Sequence, residues 1–268
     1  MPMPRYRGPV AVAVPALITA LTLTSCSSND PATTEGGVPL TQSGKLVTCT
    51  HLPYEPFQFN RDGEIVGFDV DLVDLVAEEL GVQQEVIDTP FETIQSGEDL
   101  NAGKCDLAAA GMTITDVRKE NLDFSDPYFE ATQALLTTKG SGLASFDDLA
   151  GKSLGVQAAT TGEEYARNEA GPDVEIVQFE DLGLLLIAVQ TGQVDAGIND
   201  NGVVYDFANK NDDVEVTTEF NTGEQYGIGV KKGNTELLDV INEVLAAAQS
   251  DGRYDEIYKT WFGTAPKA

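Results

Sequence analysis

Between residues 69 and 80 the apolar side chains Val70, Val73, Val76, Ala77 and Leu80 recur at helical spacing, which predicts an amphipathic helix. Asp69 is placed to cap its start and Gly81 to close its end. Short apolar runs over residues 46–49 and 84–87 predict strands on either side, and a further helix and strand follow over residues 93–102 and 106–110. After Asn234, Leu237, Ile241, Leu245 and Ala248 form one helical face and Tyr254, Ile257, Tyr258 and Trp261 another. Both are expected to pack on the first part of the chain.

Alternating strands and helices predict a parallel α/β sheet. An internal repeat makes it two lobes: GKCDLAAAG at 103–111 and GQVDAGIND at 192–200 share G-x-x-D and a following small or apolar strand. The runs QALLTTK at 133–139 and QYGIGVK at 225–231 are β-like and suit a two-stranded hinge. The expected fold class is therefore α/β with two lobes, each a mostly parallel sheet flanked by helices. Lobe one takes residues 45–130 and 224–268, and lobe two residues 131–223. Ligands of open parallel sheets sit outside the carboxyl ends of the strands. The repeat puts Gly111 and Asp200 at equivalent strand ends, so one lobe offers a cationic socket and the other a carboxylate.

The socket is the stretch GMTITDVR at 111–118. A strand running into a helix start brings Thr hydroxyls, free backbone N–H groups and Arg118 together. Arg118 can hold a carboxylate through two parallel N–H···O bonds, and the unpaired amides of a helix N-terminus add positive potential.

Charge narrows the partners. The chain has 44 acidic and 16 basic residues and a formal net charge of −28, which excludes nucleic acid and disfavours an anionic membrane surface. The N-terminus is an address: Arg5 and Arg7 precede an apolar run over residues 10–24, and LTSC at 23–26 resembles the bacterial lipoprotein box. That resemblance implies a signal peptide over residues 1–25, lipidation of Cys26 and anchorage to the outer face of the cytoplasmic membrane. Residues 26–44, small, polar and rich in Gly and Pro, read as a flexible tether. With Cys26 acylated, Cys49 and Cys105 remain as one disulfide pair in an oxidising compartment. A zinc site from Cys49, His51 and Cys105 is the alternative, with no fourth ligand in the sequence.

Taken as a set and in order, PYEPF at 53–57, GFDVD at 67–71, GMTITDVR at 111–118, FSDPY at 124–128, GVQAATTG at 155–162 and VDAGIND at 194–200 resemble family 3 solute-binding proteins, the polar amino-acid receptors of ABC importers. The resemblance spans residues 45–264. It implies a type II periplasmic-binding fold that closes on an amino acid and delivers it to a membrane permease, as a monomer without cofactor or metal. It also assigns roles: Arg118 grips the ligand α-carboxylate, helped by Thr113 and the amide of Thr161. Asp200 and the carbonyl of Gly111 receive the α-ammonium, and Tyr54 and Phe91 wall the side chain. Basic-amino-acid receptors of this family carry an aspartate where this chain has His51, so a neutral polar or acidic ligand is favoured. Ala159 stands where many relatives have glycine. An enzyme of this fold, such as a cyclohexadienyl or arogenate dehydratase using Glu163 or Glu92, is the runner-up.

Overall fold

Two five-stranded sheets carry the fold, and the chain passes between them twice. The computed structural model describes residues 1–2, 32–34, 37–264 and 266. Compactness divides the chain into Met1–Asp30 and Pro31–Ala268, and the account below concerns the second unit. The expected leader and Cys26 lie outside the described residues.

Strands β1 (Ala32–Thr33) and β2 (Pro39–Leu40) pair antiparallel, and Val38 and Leu40 are each only 3% exposed. The expected tether therefore gives way to packed structure before residue 44, because these two apolar side chains join the main core. Next come β3 (Lys45–Thr50), the hairpin β4 (Phe59–Arg61) and β5 (Glu64–Val66), α1 (Phe68–Glu79) and β6 (Gln83–Asp88). Helix α1 buries Val70, Val73, Val76 and Ala77 of the face that its periodicity predicts, and Leu72 beside them. Its cap differs. Gly67 holds the N-cap at φ 146°, where a Cβ would lie 2.0 Å from the Phe57 carbonyl oxygen, so only glycine fits. Asp69 is instead drawn into the interior. The helix expected over residues 93–102 is two short ones, α2 (Phe91–Gln95) and α3 (Glu98–Asn101), broken by Gly97 in the left-handed region.

The first sheet is completed by β7 (Leu107–Ala108), then α4 (Asp116–Lys119), β8 (Leu122–Phe124) and a strand late in the chain. Strand β9 (Phe129–Thr138) enters the second lobe, followed by β10 (Ser153–Gln157), α5 (Thr161–Glu169), β11 (Glu175–Phe179), α6 (Leu182–Gln190), β12 (Ala196–Asp200) and α7 (Asn201–Lys210). Strand β13 (Val214–Tyr226) returns, and β14 (Gly229–Lys231), α8 (Thr235–Asp251) and α9 (Arg253–Phe262) finish the chain.

Strand order is β6-β3-β7-β14-β8 in the first sheet and β11-β10-β12-β9-β13 in the second. In each, three parallel strands are extended by antiparallel neighbours. Residues 133–137 lie inside the second sheet, opposite β12, so the outward crossing falls earlier than residues 133–139, near Phe129 to Thr132. Apolar faces of α8 and α9 pack against α1, and Phe57, Phe68, Phe129, Tyr226, Tyr258 and Phe262 form an aromatic cluster where the crossing strands meet the first lobe. Cys49 and Cys105 are joined, with Cα atoms 5.7 Å apart, so neither thiolate is free to hold zinc. No helix among the described residues is long and apolar enough to cross a membrane.

Candidate ligand-binding site

The carboxyl ends of the parallel strands in both sheets face one cleft. His51, Tyr54 and Gln58 follow β3, Phe91 follows β6, and Ala110, Gly111, Thr113 and Arg118 follow β7; from the other side come Gln157 at the end of β10, Thr160 and Thr161 after it, and Asp200 at the end of β12. These residues line one narrow pocket. All eight residues that the sequence nominates for binding, Arg118, Asp200, Thr113, Gly111, Thr161, Tyr54, Phe91 and His51, lie on its wall. Glu163 does not line it: its carboxylate takes Arg167, Gln178 and the Ala159 N–H. Glu92 is exposed at the mouth.

Arg118 sits on the single turn α4, whose N-cap Thr115 accepts the Arg118 N–H at 3.2 Å. Its guanidinium lies over the Phe91 ring at 5.3 Å, donates Nη1 to the Thr113 carbonyl at 2.8 Å and reaches across the cleft with Nη2 to the Ala159 carbonyl at 3.3 Å. It is 5% exposed, yet among the described residues it forms no ion pair. Burial lowers its pKa, opposed by the charges of Asp200 and Glu224, but a guanidinium stays protonated at any physiological pH. A buried cation whose contacts are neutral carbonyls is a socket for an anion.

Asp200 is the mirror image. It is 5% exposed and takes hydrogen bonds from the Tyr54 hydroxyl at 2.7 Å, the Tyr226 hydroxyl and Gln133 Nε2 at 2.5 Å, all neutral donors. No cation pairs with it among the described residues. Burial, followed by the charge of Glu224, pushes its carboxyl up to about 6, against the pull of those donors. It closes β12 and precedes α7, but its side chain does not cap the helix.

Gly111 carries φ +55°, and a Cβ there would meet Tyr54 Cε1 at 2.7 Å, so its glycine serves both the turn and the close approach of Tyr54. Its N–H donates to Asp69 at 2.7 Å. Asp69 is thus no exposed helix-start charge: it is 1% exposed, also accepts the Tyr128 hydroxyl at 2.8 Å, and burial raises its carboxyl to about 7. It anchors the loop that carries the Gly111 carbonyl.

Sequence reasoning missed the groups behind the wall. Gln133 faces Asp200 across the β9–β12 register and shares its Nε2 between Asp200 and Glu224 Oε1, the latter at 2.9 Å. Glu224, 9% exposed in the returning strand, accepts the hydroxyls of Thr113 and Thr161, each at 2.7 Å. Tyr226 pairs backbone with Thr113 and holds Asp200. A glutamate and a tyrosine flanked by glycines in a β-like crossing run were the available signal.

At the far end of the cavity His51 donates Nδ1 to the Thr89 carbonyl at 3.0 Å, which in the neutral ring leaves Nε2 as an acceptor. That Nε2 and the Gln58 Oε1 are buried and without partners among the described residues. Gln157 Oε1 accepts from Asn199 Nδ2 at 3.2 Å. His51 Nε2 and Gln58 Oε1 are therefore the free acceptors at this end, whereas the Gln157 oxygen is already engaged.

Ala159 stands in the left-handed region at φ +64°. That conformation costs a side-chain-bearing residue about 1–2 kcal/mol. Glycine would relieve it while losing roughly 0.5–1 kcal/mol of unfolded-state advantage. Ala159→Gly is expected to raise stability by up to about 1 kcal/mol in urea unfolding, and a clear loss would show that the Ala159 methyl is needed for packing.

Two α/β lobes, two crossing strands and a cleft in which buried Arg118, without an ion-pair partner among the described residues, faces buried Asp200 define a small-molecule binding protein. The chain belongs to the bacterial extracellular solute-binding proteins, family 3, whose model it matches over residues 46–264. It is 39% identical over 210 residues to the ABC transporter glutamine-binding protein GlnH of Bacillus subtilis (strain 168), covering 76% of this chain and 75% of that one. An ancestral arginine-binding protein bound to glutamine superposes with a TM-score of 0.78 at 40% identity, over 83% of this chain and 99% of that chain. AncCDT-1, an ancestral amino acid-binding protein and precursor of cyclohexadienyl dehydratase, superposes with a TM-score of 0.74 at 36% identity, over 82% and 95% of the two chains.

Proposed function

We propose that this protein is a lipid-anchored extracytoplasmic receptor that binds one free polar amino acid between its lobes and presents it to the permease of an ABC importer. The observation that carries the reading is the pair of buried charges lining one cavity, Arg118 and Asp200, neither paired with a partner of opposite sign among the described residues. A zwitterion supplies both missing partners: its α-carboxylate goes to the Arg118 fork and the N–H groups at the start of α5, and its α-ammonium goes to Asp200 and the Gly111 carbonyl. Binding across the cleft favours the closed form, which is the form a permease would recognise. Catalysis is not part of the reading, since the carboxylates nominated for it are engaged elsewhere or exposed. Attachment through Cys26 keeps the receptor at the membrane, with each buried CH₂ of the acyl chains contributing about 0.8 kcal/mol.

The acceptors His51 Nε2 and Gln58 Oε1 favour a side chain that ends in N–H donors, and among neutral side chains that is a carboxamide. A thermal-shift panel of the standard amino acids tests the reading. At one hundred times Kd a true ligand adds about 2.7 kcal/mol of stability. The largest shift is expected from an amide-bearing amino acid, and a panel without any shift would sink the receptor assignment.

A further inference from the structure

Glu224 brings a third charge to a site that a zwitterion needs only two to satisfy. It lies in β13 just after an irregularity in the β9–β13 register between Phe220 and Glu224, where the strand crosses between lobes. From there its carboxylate reaches both sides of the cleft. Oε2 accepts from Thr113 Oγ1 of the first lobe and Thr161 Oγ1 of the second, each at 2.7 Å, and Oε1 accepts from Gln133 Nε2 and Thr222 Oγ1, both at 2.9 Å. An ionised carboxylate has no proton to give, and a threonine hydroxyl has a single one. Both hydroxyl protons are therefore committed to Glu224, and what Thr113 and Thr161 turn toward the cavity is lone pairs.

We infer that Glu224 is a positioning residue that makes the site demand an α-ammonium group, by turning the Thr113 and Thr161 hydroxyls into acceptors and adding a second negative charge beside Asp200. This rests on the zwitterion reading above and changes one part of it. The Thr113 hydroxyl does not help Arg118 grip the α-carboxylate. It faces the ammonium, and the carboxylate is left to the guanidinium and the backbone amides at the start of α5. Without Glu224 either hydroxyl could rotate and donate, so a carboxylate lacking the neighbouring ammonium would be far better tolerated. With it, such a ligand meets Asp200 and Glu224 unneutralised and hydroxyls that cannot donate to it. Because its two hydroxyl partners belong to different lobes, Glu224 exerts this control on the closed form.

The test is a ratio of affinities, measured by calorimetry for L-glutamine against glutaramate, its des-amino counterpart, and for L-arginine against its own des-amino counterpart. Wild type is expected to reject both des-amino compounds. In Glu224→Gln the preference for the amino compound should fall at least tenfold, or a des-amino compound undetectable in wild type should bind measurably. A purely structural role would weaken both members of a pair alike, so an unchanged ratio overturns the inference while leaving the receptor reading intact. If wild type binds none of the standard amino acids, the zwitterion reading fails and takes this inference with it; if it binds another amino acid, the same ratio is read on that one and its des-amino counterpart. Should Glu224→Gln not fold, Glu224→Asp withdraws the carboxylate by one methylene from at least one hydroxyl. Its ratio is then expected to fall as well, and an unchanged value overturns the proposal.

Discussion

Arg118→Ala is expected to abolish amino-acid binding without weakening the unliganded fold. Truncating one partner of a buried, hydrogen-bonded charge pair costs about 2–5 kcal/mol, or roughly thirtyfold to several thousandfold in Kd. The unusual half of the prediction is the stability. Arg118 is 5% exposed and bonded only to neutral groups, so the apo protein bears its desolvation without a compensating ion pair. Removing it also removes the bond to the Thr113 carbonyl and the stack on Phe91, losses that oppose the gain. The unliganded melting temperature should therefore stay near that of wild type, whereas an arginine kept for structure would take the fold down with it. Arg118→Lys retains the charge but not the planar fork, and is expected to bind with intermediate affinity. Calorimetry and thermal melts on the three proteins separate these cases, and wild-type affinity in Arg118→Ala would remove Arg118 from the site.

The first layer of this cleft was legible because its residues stand in short local motifs. Arg118 and Thr113 share one turn, Asp200 ends the second copy of a repeat, and Tyr54 and His51 follow one strand. Arg118, Thr113 and Asp200 are placed by chain segments a few residues long that turn chemistry and the repeat suffice to find, whereas Tyr54 and His51 came with the resemblance carried by the ordered motifs. The second layer could not be read that way. Glu224 lies 111 residues from Thr113 and 63 from Thr161, and Gln133 lies 67 from Asp200, so only the closed tertiary fold brings these partners together. Asp69 shows the same limit from the other side. A carboxylate at a helix start reads locally as a cap, and it took the close approach of Phe57 to Gly67 to give the cap to glycine and turn the aspartate inward to Gly111. The early end of the tether also came from long-range packing, in which Val38 and Leu40 find a hydrophobic surface that the local polar composition does not announce.

Asp200→Asn is the second change with a large expected effect, and pH gives it a signature that Arg118→Ala lacks. The carboxyls of Asp200 and Asp69 are raised from the ordinary 3.8 to about 6 and about 7. Between 3.8 and those values the folded chain holds protons that the unfolded chain has released, so their contribution to unliganded stability is full below about 3.8 and is lost as pH rises through about 6 and about 7. Affinity runs the other way. The ligand ammonium prefers ionised Asp200, so binding is expected to be flat above about 6 and to weaken by up to about one decade per pH unit below it. Acidification from neutral pH thus strengthens these two groups' contribution to the empty receptor while loosening its grip on the amino acid. In Asp200→Asn the affinity at neutral pH should fall by roughly a hundredfold, in line with a lost buried charge partner. What affinity remains should no longer decline as pH falls through 6. The Asp69 part of the stability profile should persist. Calorimetric titrations and melts of both proteins across that range would show it, and a wild-type pH slope surviving in Asp200→Asn would mean that another group receives the ammonium.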